Sequence, residues 1–230
     1  GERLRGFQPD AVRAVATNTL RVAKNAKAFI QKAEAALGFP IEVIGGREEA
    51  RLIYIGVAHA MPPARHKRLV VDIGGGSTEF VIGQKVEPLV MESLFMGCVS
   101  YSLRFFPDGK IDKKRFFDAE VAAAREIEIL AHDYRAFGWT EAVASSGTAK
   151  AVADILEING LNPDGGPGIS REGLDKLKAQ LIRAGSAAGL KFEGLRPDRA
   201  PVFAGGVAIL SAVLSTLGIT RMTYAEGALR

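Results

Sequence analysis

The sequence predicts an α/β fold, and three features carry that expectation. Short β-type runs at residues 11–16 and 41–44 each precede a helix-periodic stretch, the order of a strand–helix–strand–helix unit. Residues 69–82 read LVVDIGGGSTEFVI, two apolar runs around a tight glycine turn. Residues 113–137 keep Phe116, Phe117, Val121, Ala124, Ile127, Leu130 and Tyr134 at helical spacing.

Composition narrows the class further. Of 230 residues, 47% are apolar and 24% charged, the balance of a globular chain with room for one large or two small domains. Lys and Arg number 30 against 26 Asp and Glu, and the net charge of +4 suits a polyanionic ligand. No Lys/Arg stripe with interleaved aromatics argues for nucleic acid. No apolar run approaches the roughly 20 residues of a membrane span, so no integral membrane segment is expected. The single cysteine, Cys98, excludes an intramolecular disulfide, reads as a small buried hydrophobe and fits a reducing cytoplasm.

Taken in order, residues 11–16 form a strand that runs into Thr17, Asn18 and Thr19, cap-type residues for the next helix. Residues 23–37 form a helix with Phe29, Ile30, Ala33 and Leu37 on one face, stopped by Gly38. A strand at 41–44 and a helix from about Arg47 to Ala60 come next, and the boundary between two domains is placed near Leu52, giving 1–52 and 53–230. Arg65-His66-Lys67-Arg68 reads as a solvated loop entering the strand at Leu69. Residues 85–95 supply a third strand, Met96 to Ser100 turn into a helix, and 113–137 form a long helix whose apolar face leaves room for a homodimer. A strand at 142–144 delivers Ser145-Ser146-Gly147-Thr148 to a helix at 149–158. Ser170 caps another helix. The run 202–210, with Gly205-Gly206, leads into a helix ending near Leu217, and 219–224 is the last strand.

Two glycine/hydroxyl turns can carry chemistry. Three consecutive glycines, Gly74, Gly75 and Gly76, put no Cβ in the way, so their N–H groups can turn inward around an anion. Asp72 points at the same place, Ser77 and Thr78 add hydroxyls, and Glu79 lies within reach of a water or metal beside a bound phosphate. The second turn, Ser145–Thr148, comes after an apolar strand and opens a helix, an anion-binding arrangement whose hydroxyls could equally serve only as caps. Facing each other, the two turns could hold successive phosphates of one ligand. Glu48 and Glu49 sit about 100° apart on a helix, so only one can face a cleft, and both could simply favour the helix dipole.

These stretches resemble a known family. DIGGGSTE at 72–79 and SSGT at 145–148 are similar to the phosphate loops of the superfamily that unites actin, sugar kinases and heat-shock ATPases. ATNTLR at 16–21, VIGGREEARL at 43–52, MGCVS at 96–100 and the ending EGALR at 226–230 narrow the resemblance to the exopolyphosphatase and guanosine pentaphosphate phosphohydrolase family, in family order along the whole chain. The resemblance implies two ribonuclease-H-like domains. Nothing before Asp10 matches the strand and first phosphate loop with which family members begin. The chain is therefore expected to be a piece of a longer protein, with an incomplete first domain and without the C-terminal region that family members carry after the position of Arg230.

The resemblance further implies that water attacks the terminal phosphorus of inorganic polyphosphate, with guanosine pentaphosphate as a second substrate. Glu49 is the implied general base, Glu79 orients water or metal, and Arg21 reaches the terminal phosphate, although a solvated Arg at a helix start is the plainer reading. Gly74, Gly75, Gly76, Ser77, Ser146, Gly147 and Thr148 are the phosphate-binding residues, Asp72 and Glu79 the Mg²⁺ site. Arg199 and Gly205-Gly206 are placed on the far wall of the cleft. A phosphotransferase using the same loops for ATP and a non-catalytic polyphosphate or nucleotide sensor are the rival expectations.

Overall fold

A computed structural model describes residues 2–4 and 6–229; Gly1, Arg5 and Arg230, the last residue of the ending EGALR, lie outside the described residues. Two sheets organise the chain. In the first, β1 (Ala14–Ala16) pairs in parallel with β2 (Ile41–Val43), and between them run α1 (Asn18–Val22) and α2 (Ala26–Leu37). The helix α3 (Gly46–Ala60) then leads to a second sheet built from β3 (Lys67–Ile73), β4 (Thr78–Gln84), β5 (Glu87–Leu94), β6 (Glu141–Ser145), β7 (Ile169–Ser170) and β8 (Arg221–Tyr224). Its order is β5-β4-β3-β6-β8-β7, with β3–β5 an antiparallel meander and β6 and β8 added in parallel. A meander continued by parallel strands is the ribonuclease-H-like arrangement that the resemblance implies.

The strand run LVVDI is apolar without alternation because both of its faces are covered. Leu69, Val71 and Ile73 join the large core on one face, while Val70 packs with Val81, Val143 and the α3 residues Ala50, Ile53, Tyr54 and Val57 on the other. The large core is closed by α4 (Cys98–Phe105), α5 (Lys113–Phe137), α6 (Ser146–Ile158), α7 (Arg171–Ala184) and α8 (Ala200–Leu217). Ser170 caps α7 as its sequence suggests, its Oγ accepting the Gly173 N–H at 3.0 Å. Residues 52 and 53 lie in the middle of the unbroken α3, which packs on the second sheet both before and after that point.

Several expectations need correction. The first strand covers only Ala14–Ala16, because Pro9–Ala11 forms a 3-10 turn. The apolar face of α2 is only partly covered: Ile30, Ala33 and Leu37 are half-buried and Phe29 is 53% exposed, since two short strands offer little surface to cover it. Lys67 and Arg68 are not loop but the start of β3, paired with Gln84 and Gly83 of β4. Arg68 is buried and donates from Nε to Glu141 Oε2 at 2.8 Å. On α5, Phe117 is 61% exposed because it stands about 100° from Phe116, whose stripe meets the core.

Gly205 and Gly206 do not precede a helix; they lie inside α8, which begins at Ala200. Both are buried, and a Cβ at Gly205 would stand 2.7 Å from the Cys98 carbonyl oxygen, one at Gly206 2.4 Å from Thr148 Cγ2. Glycine there lets α8 press against α4 and α6. With 18 residues at mean hydropathy 1.9, α8 is long and apolar enough to cross a membrane, but 67% of it is buried inside the fold. Its length and composition are those of a core helix shielded on most sides.

Candidate active site

The parallel strands β3 and β6 are in register with Asp72 beside Ser145, so both glycine/hydroxyl turns leave the sheet side by side at the strands' C-terminal ends. That edge is where open α/β sheets place their ligands. The first turn is shaped by α4. The Cys98 N–H donates to the Gly74 carbonyl at 2.9 Å, and those of Val99 and Ser100 to the Gly75 carbonyl at 2.9 and 3.1 Å. In a planar trans peptide the N–H points opposite to the C=O, so fixing these carbonyls on α4 turns the Gly75 and Gly76 amides the other way. None of the three glycines needs a left-handed φ. What glycine provides at position 76 is room, since a Cβ there would come within 2.2 Å of Asn18 Nδ2.

The second turn is built differently. Ser146 holds φ at 95°, a left-handed value rare for a residue with a side chain, and its Oγ accepts the Ala149 N–H at 3.3 Å. Strained residues of this kind cluster at functional sites. Thr148 is buried against α8 rather than turned into the open cleft. Ser145 donates its hydroxyl to the Gly227 carbonyl at 2.6 Å, which draws residues 225–229 across the base of the site.

Carboxylates supply the rest. Glu49 projects from the first turn of α3, and its Oε2 accepts from Arg21 Nη1 at 2.9 Å; the same nitrogen also donates to the Ile44 carbonyl at 2.9 Å. The guanidinium expected on a phosphate is therefore seated on Glu49, with side-chain exposures of 18% and 11% for the pair. Glu48, in contrast, turns outward to Arg51. Asp72 and Glu79 stand opposite each other across β3 and β4. Glu79 is almost fully buried; burial, then the neighbouring Glu49 charge and Asp72, push its carboxyl up to about 8, against hydrogen bonds from Ser77 and Ser93. It is mostly protonated at neutral pH.

A cleft of about 300 Å³ joins these groups. Of the expected residues, Glu49, Asp72, Gly74, Gly75, Ser146 and Gly147 line it, and Arg199 stands on its far wall. Arg21, Gly76, Ser77, Glu79 and Thr148 are not among the lining residues, and Gly205-Gly206 belong to the α8 core. Thr17, Ile53, Cys98, Val99, Ala228 and Leu229 also line the cleft without having been singled out for it. They arrive from four separate stretches; Thr17 lies in the ATNTLR run, Cys98 and Val99 in MGCVS, and Ala228 and Leu229 in EGALR, while Ile53 falls just past VIGGREEARL and carried no signal.

A scan of family models matches the Ppx/GppA phosphatase family over residues 1–230. The chain belongs to that family. A Haemophilus influenzae protein carrying the provisional name exopolyphosphatase is 44% identical over 229 residues, which are 100% of this chain and 70% of that protein. The crystal structure of an Aquifex aeolicus Ppx/GppA family member superposes with a TM-score of 0.75 at 25% identity, covering 95% of this chain and 71% of that one. An exopolyphosphatase structure from Cytophaga hutchinsonii shares the fold, with a TM-score of 0.79 at 24% identity over 95% and 72% of the two chains. Enzymes so named are phosphoanhydride hydrolases, and the family membership places this chain among enzymes.

Proposed function

We propose that this chain releases terminal orthophosphate from inorganic polyphosphate by base-assisted attack of water. The observation that carries the reading is Glu49, fixed by Arg21 at the wall of a cleft whose other walls are two adjoining phosphate-type turns. With Oε2 held, the Glu49 carboxylate takes a proton from a water as its oxygen bonds to the terminal phosphorus. The bridging P–O bond breaks and the shortened chain leaves as an oxyanion, stabilised by the Gly75 and Gly76 amides and by Arg199. Arg21 acts here as a positioning residue for Glu49. The 5′-phosphates of guanosine pentaphosphate present the same terminal anhydride and are the second substrate of this reading.

Asp72 and Glu79 fit Mg²⁺. They face each other across one strand pair, and among the described residues no trio of His, Cys, Asp or Glu forms an all-protein cage. One or two carboxylates completed by phosphate oxygens and water is the usual mode for this ion. When bound, it neutralises phosphate charge.

The test is phosphate release from long-chain polyphosphate. Glu49→Gln is expected to lower kcat by about 100- to 10,000-fold with little change in substrate binding. Undiminished release by that variant would remove Glu49 from the role of base.

A further inference from the structure

We infer that a groove beside α6 is a second anion site, one that receives the trailing phosphates of the chain whose end lies in the cleft, with Lys150 and Arg196 as its contacts. This rests on the polyphosphate reading above. The groove has a volume of about 230 Å³ and is lined by Gly147, Lys150, Asp154, Arg196 and Arg199. It shares Gly147 and Arg199 with the cleft, so the two cavities meet at the start of α6. There the Arg199 guanidinium lies against Gly147, close enough that a Cβ at 147 would stand 2.5 Å from Nη2.

Three cations, Lys150, Arg196 and Arg199, line the groove. Arg199 lines both cavities and is in no salt bridge among the described residues, Lys150 lies one helical turn along α6 from Gly147, and Arg196 lines the same groove from the 194–199 segment. Two carboxylates stand among them: Asp154, 3.3 Å from Lys150, and Asp198, which Arg196 contacts from Nε and Nη2 at 3.0 Å each. Lys150 and Arg196 are exposed to 48% and 75% as side chains, and exposed pairs of this kind hold weakly. A phosphate chain can therefore replace Asp154 and Asp198 as their partner. A compact orthophosphate in the cleft gains nothing from the groove, whereas a linear polyanion leaving the cleft past Arg199 comes within reach of Lys150 and Arg196.

The experiment compares tripolyphosphate with long-chain polyphosphate on the Lys150→Ala, Arg196→Ala double variant. KM for the long chain is expected to rise about 5- to 10-fold with kcat unchanged, while KM for tripolyphosphate stays put. Asp154→Asn, which removes the competing carboxylate, should lower the long-chain KM. An equal shift for both substrates, or none for either, overturns the groove. Should the unmodified protein release no phosphate from either substrate, the polyphosphatase reading falls. The groove is then judged by binding: the double substitution in the Glu49→Gln background must weaken affinity for long-chain polyphosphate, and unchanged affinity refutes it.

Discussion

Glu79 and Ser146 hold free energy in opposite forms. A carboxyl raised to about 8 in the folded chain, from an ordinary value near 4.5, means that the folded state binds more protons than the unfolded state between those pH values. Stability then falls as pH rises through that window, by on the order of a few kcal/mol from this residue. Urea denaturation at pH 5 and pH 8 should show the fall, and Glu79→Gln should flatten it; an unchanged slope in the variant would assign the effect elsewhere. If Mg²⁺ binds at the proposed Asp72–Glu79 site, its binding near neutral pH should also release about one proton, read by calorimetry in buffers of different ionisation enthalpy. At Ser146 the cost is conformational. Ser146→Gly accepts the left-handed backbone and should melt within a few degrees of the unmodified protein, whereas Ser146→Val, β-branched at φ 95°, should lose about 2 kcal/mol. Equal melting temperatures for the two would show that no strain resides there. At this scale the sequence was informative: the spacing from Asp72 to Glu79 and the run Ser145–Thr148 mark both turns. The pairing of Arg21 with Glu49 was not legible, because it joins α1 to α3 across 28 positions through a fold that no local pattern encodes.

Elements meet at this site by close backbone approach, and Gly97 is the clearest case. It caps α4 with φ −144°, which any residue can adopt, yet a Cβ there would lie 2.4 Å from Gly75 C and Gly76 N. Those are backbone atoms of the phosphate turn and cannot rotate away. Gly97→Ala should therefore push α4 off the turn, costing about 1–3 kcal/mol and weakening phosphate binding. Gly45→Ala, a cap with nothing within 4 Å, is the control and should leave binding intact. Equal binding by the two variants would refute the idea that α4 shapes the turn. The same close approach explains a misreading: Gly205-Gly206 looks like a break in a helix, because glycine usually weakens one, but here it is what α4 and α6 press against. The apolar periodicity of α2 marks its face, but a pattern tells which face seeks cover and not how much cover exists.

Across the whole molecule, the two sheets differ sharply in what holds them. The second sheet is closed between α3 and the α4–α8 layer, with Leu69, Val70, Phe80, Val81 and Ile82 fully buried. The first has two short strands whose residues are at most half-buried and a helix, α2, with none buried. Local opening free energy tracks buried apolar contact, so amide exchange should be fast across residues 14–43 and slow across 67–84. The cleft draws from both parts: Thr17 comes from the first, Asp72 and the glycine turn from the second, with Asn18 pressed against Gly76 at their meeting. Among the described residues Asn18 Oδ1 is buried there without a hydrogen-bond partner, an arrangement that costs about 1–3 kcal/mol and favours opening of this contact. A ligand spanning the cleft must offset that cost, so tripolyphosphate added to the Glu49→Gln variant should slow exchange selectively over residues 14–22. Slowing confined to 72–79 and 145–148 would show that the ligand is held by the second sheet alone and that the first contributes no closure.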